Sequence, residues 1–379
     1  MHPQYVQHLI ERLWRRQNFW HRLGWLALTP ASVGFTALVR GRNLLYNRGH
    51  FPTTQVPLNV VSVGNLTVGG TGKTPMTLWL AQALQARGYR VGILTRGYKG
   101  TKTDFTVVGT AGKPLVTPEE VGDEAVMMVR RFSGVVIAGR DRMAAAVRAH
   151  HEFDLDVAIL DDGFQHRQLH RDVDILLVSA QANDNQWVLP AGPFREPVTA
   201  ARRADVLVLT KRPMEDAQTP TFPLLGIDAV SVFSGDLVPT AFVNVDNRGW
   251  YQRSLAAVAE QRVLALTGIA APASFYRMLH EWDAIITEVL EFPDHHHYTH
   301  ADWQHISQLS QKCDLIVTTE KDLVKLERFP FATGRLLALR VDMHVEPAAP
   351  FLDAIEQRFR YRKKEAHTYG STLSDSGGH

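Results

Sequence analysis

The run Gly69-Gly70-Thr71-Gly72-Lys73-Thr74 constrains this chain more than any other feature. An apolar, β-branched stretch at 56–63 precedes it and reads as a buried strand. A segment at 75–87 follows, with Leu78, Ala81 and Leu84 at helical spacing and Gly88 as its stop. Strand, glycine-rich turn and a helix opening on Gly-Lys-Thr is the context of a phosphate-binding loop. Backbone N–H groups must converge on phosphate oxygens there, and only glycine lets the chain approach so closely. Thr67, Val68, Gly69, Gly70, Thr71, Gly72, Lys73 and Thr74 are therefore the candidate nucleotide cradle. Lys73 would reach the β- and γ-phosphates, and Thr74 would ligate Mg²⁺. Neither familiar pattern is complete: one wants glycine where Thr67 stands, and a variant wants lysine where Val68 stands. A chance glycine turn is the alternative, and the flanking strand and helix argue against it.

Beyond the loop, short apolar runs at 89–94, 135–138, 157–160, 175–178 and 206–209 alternate with helical segments. This predicts an α/β fold with a doubly wound, mostly parallel sheet, of the P-loop type, over 51–228. The rhythm changes near 226. Stretches at 229–233 and 241–245 flank Gly235-Asp236 and read as an antiparallel ribbon, a candidate hinge within a linker at 229–260. Runs at 263–266 and 315–318, with a helix at 273–282, predict a smaller second α/β domain over 261–362. The polar tail, 363–379, is expected to be disordered.

The N-terminal 50 residues form a segment of their own. They hold seven arginines (Arg12, Arg15, Arg16, Arg22, Arg40, Arg42, Arg48) and one acid, Glu11, and no charge lies between Leu23 and Val39. An interfacial helix, with Trp14, Trp20 and Trp25 at headgroup depth, competes with a helix packed on the protein's own core. Pro30 and the short apolar run argue against a span, and the long charged start argues against a signal peptide. The net charge of +2 and scattered aromatics give no field or stacking stripe for nucleic acid. A single cysteine, Cys313, excludes an intramolecular disulfide and fits a reducing compartment.

The run at 157–160 ends in Asp161-Asp162, where a P-loop protein keeps a carboxylate for Mg²⁺. A solvated strand end is the competing reading, weakened by the second acid and by Gly163-Phe164-Gln165-His166 after it. Thr117-Pro118-Glu119-Glu120 reads as a helix start with a capping box, followed by Asp123 and Glu124. These two acids either serve the helix dipole or supply a carboxylate that accepts a hydroxyl proton. Asp294-His295-His296-His297 matches no tight zinc spacing. A solvated loop and a histidine that assists catalysis or binds phosphate both remain open. Arg195-Glu196, in a proline-rich loop at 189–197, is either a phosphate contact or a surface ion pair. Arg96 and Thr319-Glu320-Lys321-Asp322 follow strands at ends that face a ligand crevice.

Together these segments resemble the tetraacyldisaccharide 4′-kinase family, the lipid A kinases of Gram-negative bacteria. The resemblance is carried by Gly64-Asn65-Leu66 running into the loop through Pro75, by Arg96-Gly97-Tyr98 and by Gly122-Asp123-Glu124. Asp161 to His166, the 189–197 loop, Phe292-Pro293-Asp294-His295-His296 and Thr319-Glu320-Lys321-Asp322 complete it, in the family's order over about 56–326. Thr67 at the first loop position also matches that family. The resemblance implies ATP- and Mg²⁺-dependent phosphorylation of the 4′-hydroxyl of tetraacyldisaccharide 1-phosphate, giving lipid IVA in lipid A biosynthesis. It implies two α/β domains joined by a ribbon, with the site between them. Asp123 would be the general base and His295 its partner, and Asp161 and Asp162 would serve the metal. Arg96, Glu124, Gln165, His166, Arg195, Glu196 and His296 would line the site. A lipid acceptor favours the interfacial reading of the N-terminus, at the cytoplasmic face of the inner membrane, with no obligate protein partner. A nucleotide-dependent switch or partitioning ATPase, and a kinase of a soluble metabolite, are the rival expectations. The valine at 68 and the absence of a guanine-recognition signature count against the first, and the Arg/Trp-rich N-terminus against the second.

Overall fold

The first half of the chain is organised around strands, most of them too apolar to face water. They are β1 (Asn59–Asn65), β2 (Val91–Thr95), β3 (Thr106–Thr110), β4 (Lys113–Pro114), β5 (Val135–Ala138), β6 (Val157–Asp161), β7 (Val173–Ser179) and β8 (Val206–Thr210). β1, β2, β5, β6 and β8 are buried at every position, as expected when helices cover both faces of a parallel sheet. The computed structural model describes residues 10, 12–14, 18–179, 185–210, 231–246, 249–269, 272–331 and 334–360.

The second half adds β9 (Ser231–Asp246), β10 (Gly249–Arg253), β11 (Arg262–Thr267), β12 (Ile285–Glu291), β13 (Leu315–Thr319) and β14 (Leu336–Glu346). All fourteen strands belong to one sheet, in the order β12-β11-β13-β14-β9-β8-β7-β1-β6-β2-β5-β3-β4, with β10 paired to β9. The first half is parallel from β8 to β5, with β3 antiparallel at its margin, and β11, β12 and β13 are parallel to one another. The fold is thus α/β with a mostly parallel sheet.

The ribbon differs from its expected form. No turn occurs at Gly235-Asp236: β9 runs unbroken for 16 residues. Its start pairs with β8 in parallel, its middle with β14 in antiparallel, and its end with β10. Gly235 serves close packing, since a Cβ there would lie 2.6 Å from Val208 and 3.0 Å from the sulfur of Met343. The register shifts opposite Pro239, where proline is tolerated at an irregularity. Residues 229 and 230, and the tail from 363, lie outside the described residues.

The helix after the loop, Lys73–Ala86, buries Met76, Leu78, Leu80, Ala81 and Leu84 against the sheet. Burial of each large side chain stabilises by about 1.5–3 kcal/mol. Met343 and Val345 of β14, and Phe351 beyond it, join the same cluster, so the two halves share one core. The Phe19–Asn47 helix is different. Only Ser32 and Val39 are buried, while Phe19, Trp20, Leu23, Leu26, Val33 and Leu38 face outward. That outcome does not match a helix packed on the protein's own core. Among the described residues it is the one helix long and apolar enough to cross a membrane.

Candidate active site

The phosphate-binding turn is held from both sides. Val68 N–H donates to the Pro193 carbonyl at 2.8 Å, and Thr67 bridges Phe194, so the 189–197 loop fixes its first residues. Asn65 donates to the Thr71 hydroxyl at 2.9 Å and accepts from Lys73 Nζ at 3.4 Å. Gly72 lies at φ +84° and Gly69 at φ +109°, conformations that a side chain would strain. No side chain caps the helix at Gly72, which leaves its first N–H groups for an anion. A Cβ on Gly69 or Gly70 would meet nothing within 4 Å, so a phosphate has room.

β6 lies between β1 and β2 in the sheet and brings Asp161 and Asp162 beside the turn. Asp161 accepts from Thr77 Oγ1 at 3.0 Å. Burial, reinforced by the charges of Glu124 and Asp162, pushes its carboxyl up to about 7. Asp162 sits at φ +52° and takes both Arg195 Nη1, at 2.8 Å, and Lys73 Nζ, at 3.8 Å. Burial opposes its charge, but Lys73 and Arg195 outweigh burial and hold its carboxyl below the usual range. An all-oxygen set of Thr74, Asp161 and Asp162 suits Mg²⁺, which uses one or two carboxylates and completes its shell with phosphate and water. A cation there would also offset the burial and repulsion acting on Asp161. No group of three or more His, Cys, Asp or Glu side chains is poised for a metal among the described residues.

The second cluster joins the two halves. Asp123 opens the helix Asp123–Arg131 and is 5% exposed. His295, from the loop after β12, brings Nδ1 to 2.9 and 3.1 Å from its two oxygens. Lys325 Nζ lies 3.2 Å from the same carboxylate. Burial alone would raise this carboxyl. The His295 hydrogen bond and the charges of Lys321 and Lys325 overcome it and hold Asp123 far below the usual carboxylate range. His295 itself sits at φ +62°, an uncommon left-handed conformation for a residue with a side chain.

A family model described as tetraacyldisaccharide-1-P 4′-kinase matches residues 24–360. The chain belongs to this family. A tetraacyldisaccharide 4′-kinase of Syntrophus aciditrophicus is 37% identical over 341 residues, covering 86% of this chain and 91% of that protein. One of Geobacter metallireducens is 36% identical over 342 residues, covering 89% and 98%. The crystal structure of LpxK from Aquifex aeolicus in complex with ATP superposes with a TM-score of 0.74 at 31% identity, over 88% of this chain and 99% of that one.

Within this 4′-kinase fold the remaining expected residues divide. Glu124 pairs with Lys321 at 3.2 Å, next to Asp123. Gln165 donates to the Asn65 carbonyl at 2.9 Å beneath the turn. His166 is half-buried, its enclosed Nε2 has no hydrogen-bond partner among the described residues, and burial, then Arg142 and Arg171, hold its imidazole down at about 4. Arg96 is exposed, and its charge acts on His166 and Arg142. Glu196 turns from the nucleotide side: it binds Arg203 at 2.8 Å, Asn43 at 2.8 Å and Arg42 at 3.4 Å, tying the Phe19–Asn47 helix down. His296 stacks on Phe292 and meets Asp302 at 3.1 Å, away from Asp123. Lys325 and Arg142 were not among the expected site residues, and Lys321 entered only as part of the Thr319–Asp322 strand end, without a role. Arg142 is 4% exposed, its Nη1 is unpartnered among the described residues, and its charge acts on Asp161 and Asp162. It opens the helix Arg142–Phe153 that follows β5, on the connection where ligand residues of such sheets are sought.

Proposed function

We propose that this protein transfers the γ-phosphoryl group of ATP to the 4′-hydroxyl of tetraacyldisaccharide 1-phosphate, and that Asp123 accepts the hydroxyl proton. Family membership supports the reaction. The observation that carries the chemistry is the Asp123–His295 contact of 2.9 Å between the two halves of the chain, next to Glu124, whose charge acts on Asp161. The backbone of residues 69–72, the helix N-terminus and Lys73 bind and orient the triphosphate. Mg²⁺, held by Thr74, Asp161 and Asp162, would neutralise charge on the phosphate oxygens. Arg195 keeps Asp162 aimed, and His295 and Lys325 keep Asp123 ionised and fixed in direction. A carboxylate this acidic is a weak base. That suffices where the transition state is loose, because the hydroxyl gives up its proton only as the new O–P bond forms.

The Phe19–Asn47 helix would lie at the cytoplasmic face of the inner membrane with its apolar face in the acyl boundary, bringing the enzyme to an acceptor that stays in the bilayer. Its outward Phe19, Trp20, Leu26 and Leu38 support that placement. The two halves would act as a nucleotide-binding and an acceptor-side unit, closing on each other across β9 and β14.

The test is incubation with ATP, Mg²⁺ and tetraacyldisaccharide 1-phosphate, reading formation of a bisphosphorylated lipid. Asp123→Ala is expected to lower kcat by about 10²–10⁴-fold with little change in KM for either substrate. A near-normal kcat in this variant would remove Asp123 as the base.

A further inference from the structure

Lys321 stands at the centre of this site. Its ammonium nitrogen lies 2.9 Å from Asp294 Oδ1, 3.2 Å from Glu124 Oε1 and 3.1 Å from Nε2 of His295. Burial works against its charge, but Glu124, Asp123 and Asp294 outweigh burial and hold its proton firmly. An ammonium has three donors and no acceptor. Nε2 of His295 is therefore the acceptor in their contact. The other ring nitrogen faces Asp123, whose ionised oxygens only accept, so Nδ1 carries the hydrogen. Among the described residues no second hydrogen-bond partner competes for Nε2: Asp294 Oδ2 is 3.7 Å from it, beyond hydrogen-bond reach.

We propose that Lys321 is a positioning residue that fixes His295 as the neutral Nδ1–H tautomer, denies Nε2 a proton, and leaves Asp123 the sole acceptor of the substrate proton. This rests on the reading of Asp123 and His295 as a catalytic pair. The groups around the imidazole are all consistent with it. Asp123 and Glu124 approach from the Asp123–Arg131 helix, Asp294 from the histidine's own loop, and Lys321 and Lys325 from the helix Glu320–Leu326. Tyr98 packs edge-on at 5.4 Å, and Lys99 donates to the Asp294 carbonyl. Asp322, next in sequence to Lys321, is buried and accepts from Gly268 N–H, Tyr298 and Thr319, which anchors the helix and so the lysine. His295 then orients the base and stabilises its charge, while the proton stays on Asp123 until product leaves.

The test is long-range ¹H–¹⁵N correlation on the full chain labelled at histidine, at about pH 8, where a free imidazole is neutral and mixed in tautomer. The expected His295 signals are a protonated Nδ1 and a bare Nε2. An Nε2–H tautomer or an imidazolium would overturn the assignment, whether or not Asp123 proves to be the base. Lys321→Met frees Nε2 beside two carboxylates, and the acid limb of its kcat profile should rise by about one pH unit or more. Lys321→Arg, again a donor with no acceptor, should restore the original profile. An unchanged profile in Lys321→Met would also overturn the proposal. Should that variant fail to fold, the spectrum of the unaltered protein decides alone. Activity lost in Asp123→Ala tests the base itself, so the two readings fail separately.

Discussion

Asp123 is buried and His166 half-buried, yet their surroundings push these two ionisable groups toward opposite charge. Asp123 faces His295, Lys321 and Lys325 and stays ionised, whereas His166 faces Arg142 and Arg171 and stays neutral. The second case has a measurable consequence. The unfolded imidazole binds a proton near its ordinary 6.5, but the folded one does so only at about 4. Between those values the unfolded state carries more protons, so stability falls as pH drops through this window and is unaffected above it. His166→Gln should remove that part of the slope. Urea midpoints of the two proteins at about pH 7 and about pH 4.5 check this, the variant gaining relative to the parent at the lower pH. At this scale the sequence displayed candidate chemistry where motif and strand end coincide, as in Lys73 and Asp161, whereas Asp123, at a helix start, stood out only through the family resemblance. Lys325 lies in the middle of an ordinary helical turn. Its meaning depends on Asp123, about 200 residues away, and spacing says nothing about that distance.

Elements were legible where burial is complete. β1, β5, β6 and β8 read as apolar runs because helices cover both their faces. β12 did not: its burial alternates, but as the outermost strand of the second half it puts Ile285 and Val289 on the exposed side and Glu288 on the covered one, so the sequence does not alternate with it. β9 was divided in two because Gly235-Asp236 carries turn chemistry that packing overrides. The N-terminal helix was found, and the structure adds which of its faces is bare. Its inner side is tied by Trp25 Nε1 to the Ala191 carbonyl at 2.8 Å and by Ser32 to the Val188 carbonyl. Leu26 and Leu38, 58% and 73% exposed, lie on the free side. Replacing both by glutamate is expected to reduce co-sedimentation with anionic vesicles by at least about tenfold while leaving the thermal midpoint unchanged. Equal partition would remove the helix as the membrane contact.

For the whole molecule, the junction between halves is covalently and electrostatically continuous. Arg131 of the first half meets Glu320 of the second at 3.1 Å, both almost fully buried, and Arg340 holds the other oxygen of Glu320 at 2.8 Å. Around them Arg130 binds Glu327 and Arg328 binds Glu119. Glu320→Gln removes the charged partner of Arg340 and one of the two of Arg131, which keeps Asp342 and the Val341 carbonyl, and is expected to cost about 1–3 kcal/mol. Urea unfolding should show that loss in a single transition, since the sheet and the shared core are unbroken; two separated transitions would mean the halves are held together by this cluster alone.

The unbroken β9 has a mechanical meaning. A loop between two bodies bends at almost no cost and stores nothing, but a sixteen-residue strand laddered to β8, β10 and β14 cannot fold at one point without breaking its hydrogen bonds. Relative rotation of the halves has to spread along it as twist, in the way a torsion bar accepts load. A bar under load pushes back. His295 and Lys321 already reach Asp123 and Glu124 of the other half, so any further rotation imposed by a ligand would wind this element, and its recoil would return the halves to the arrangement seen here.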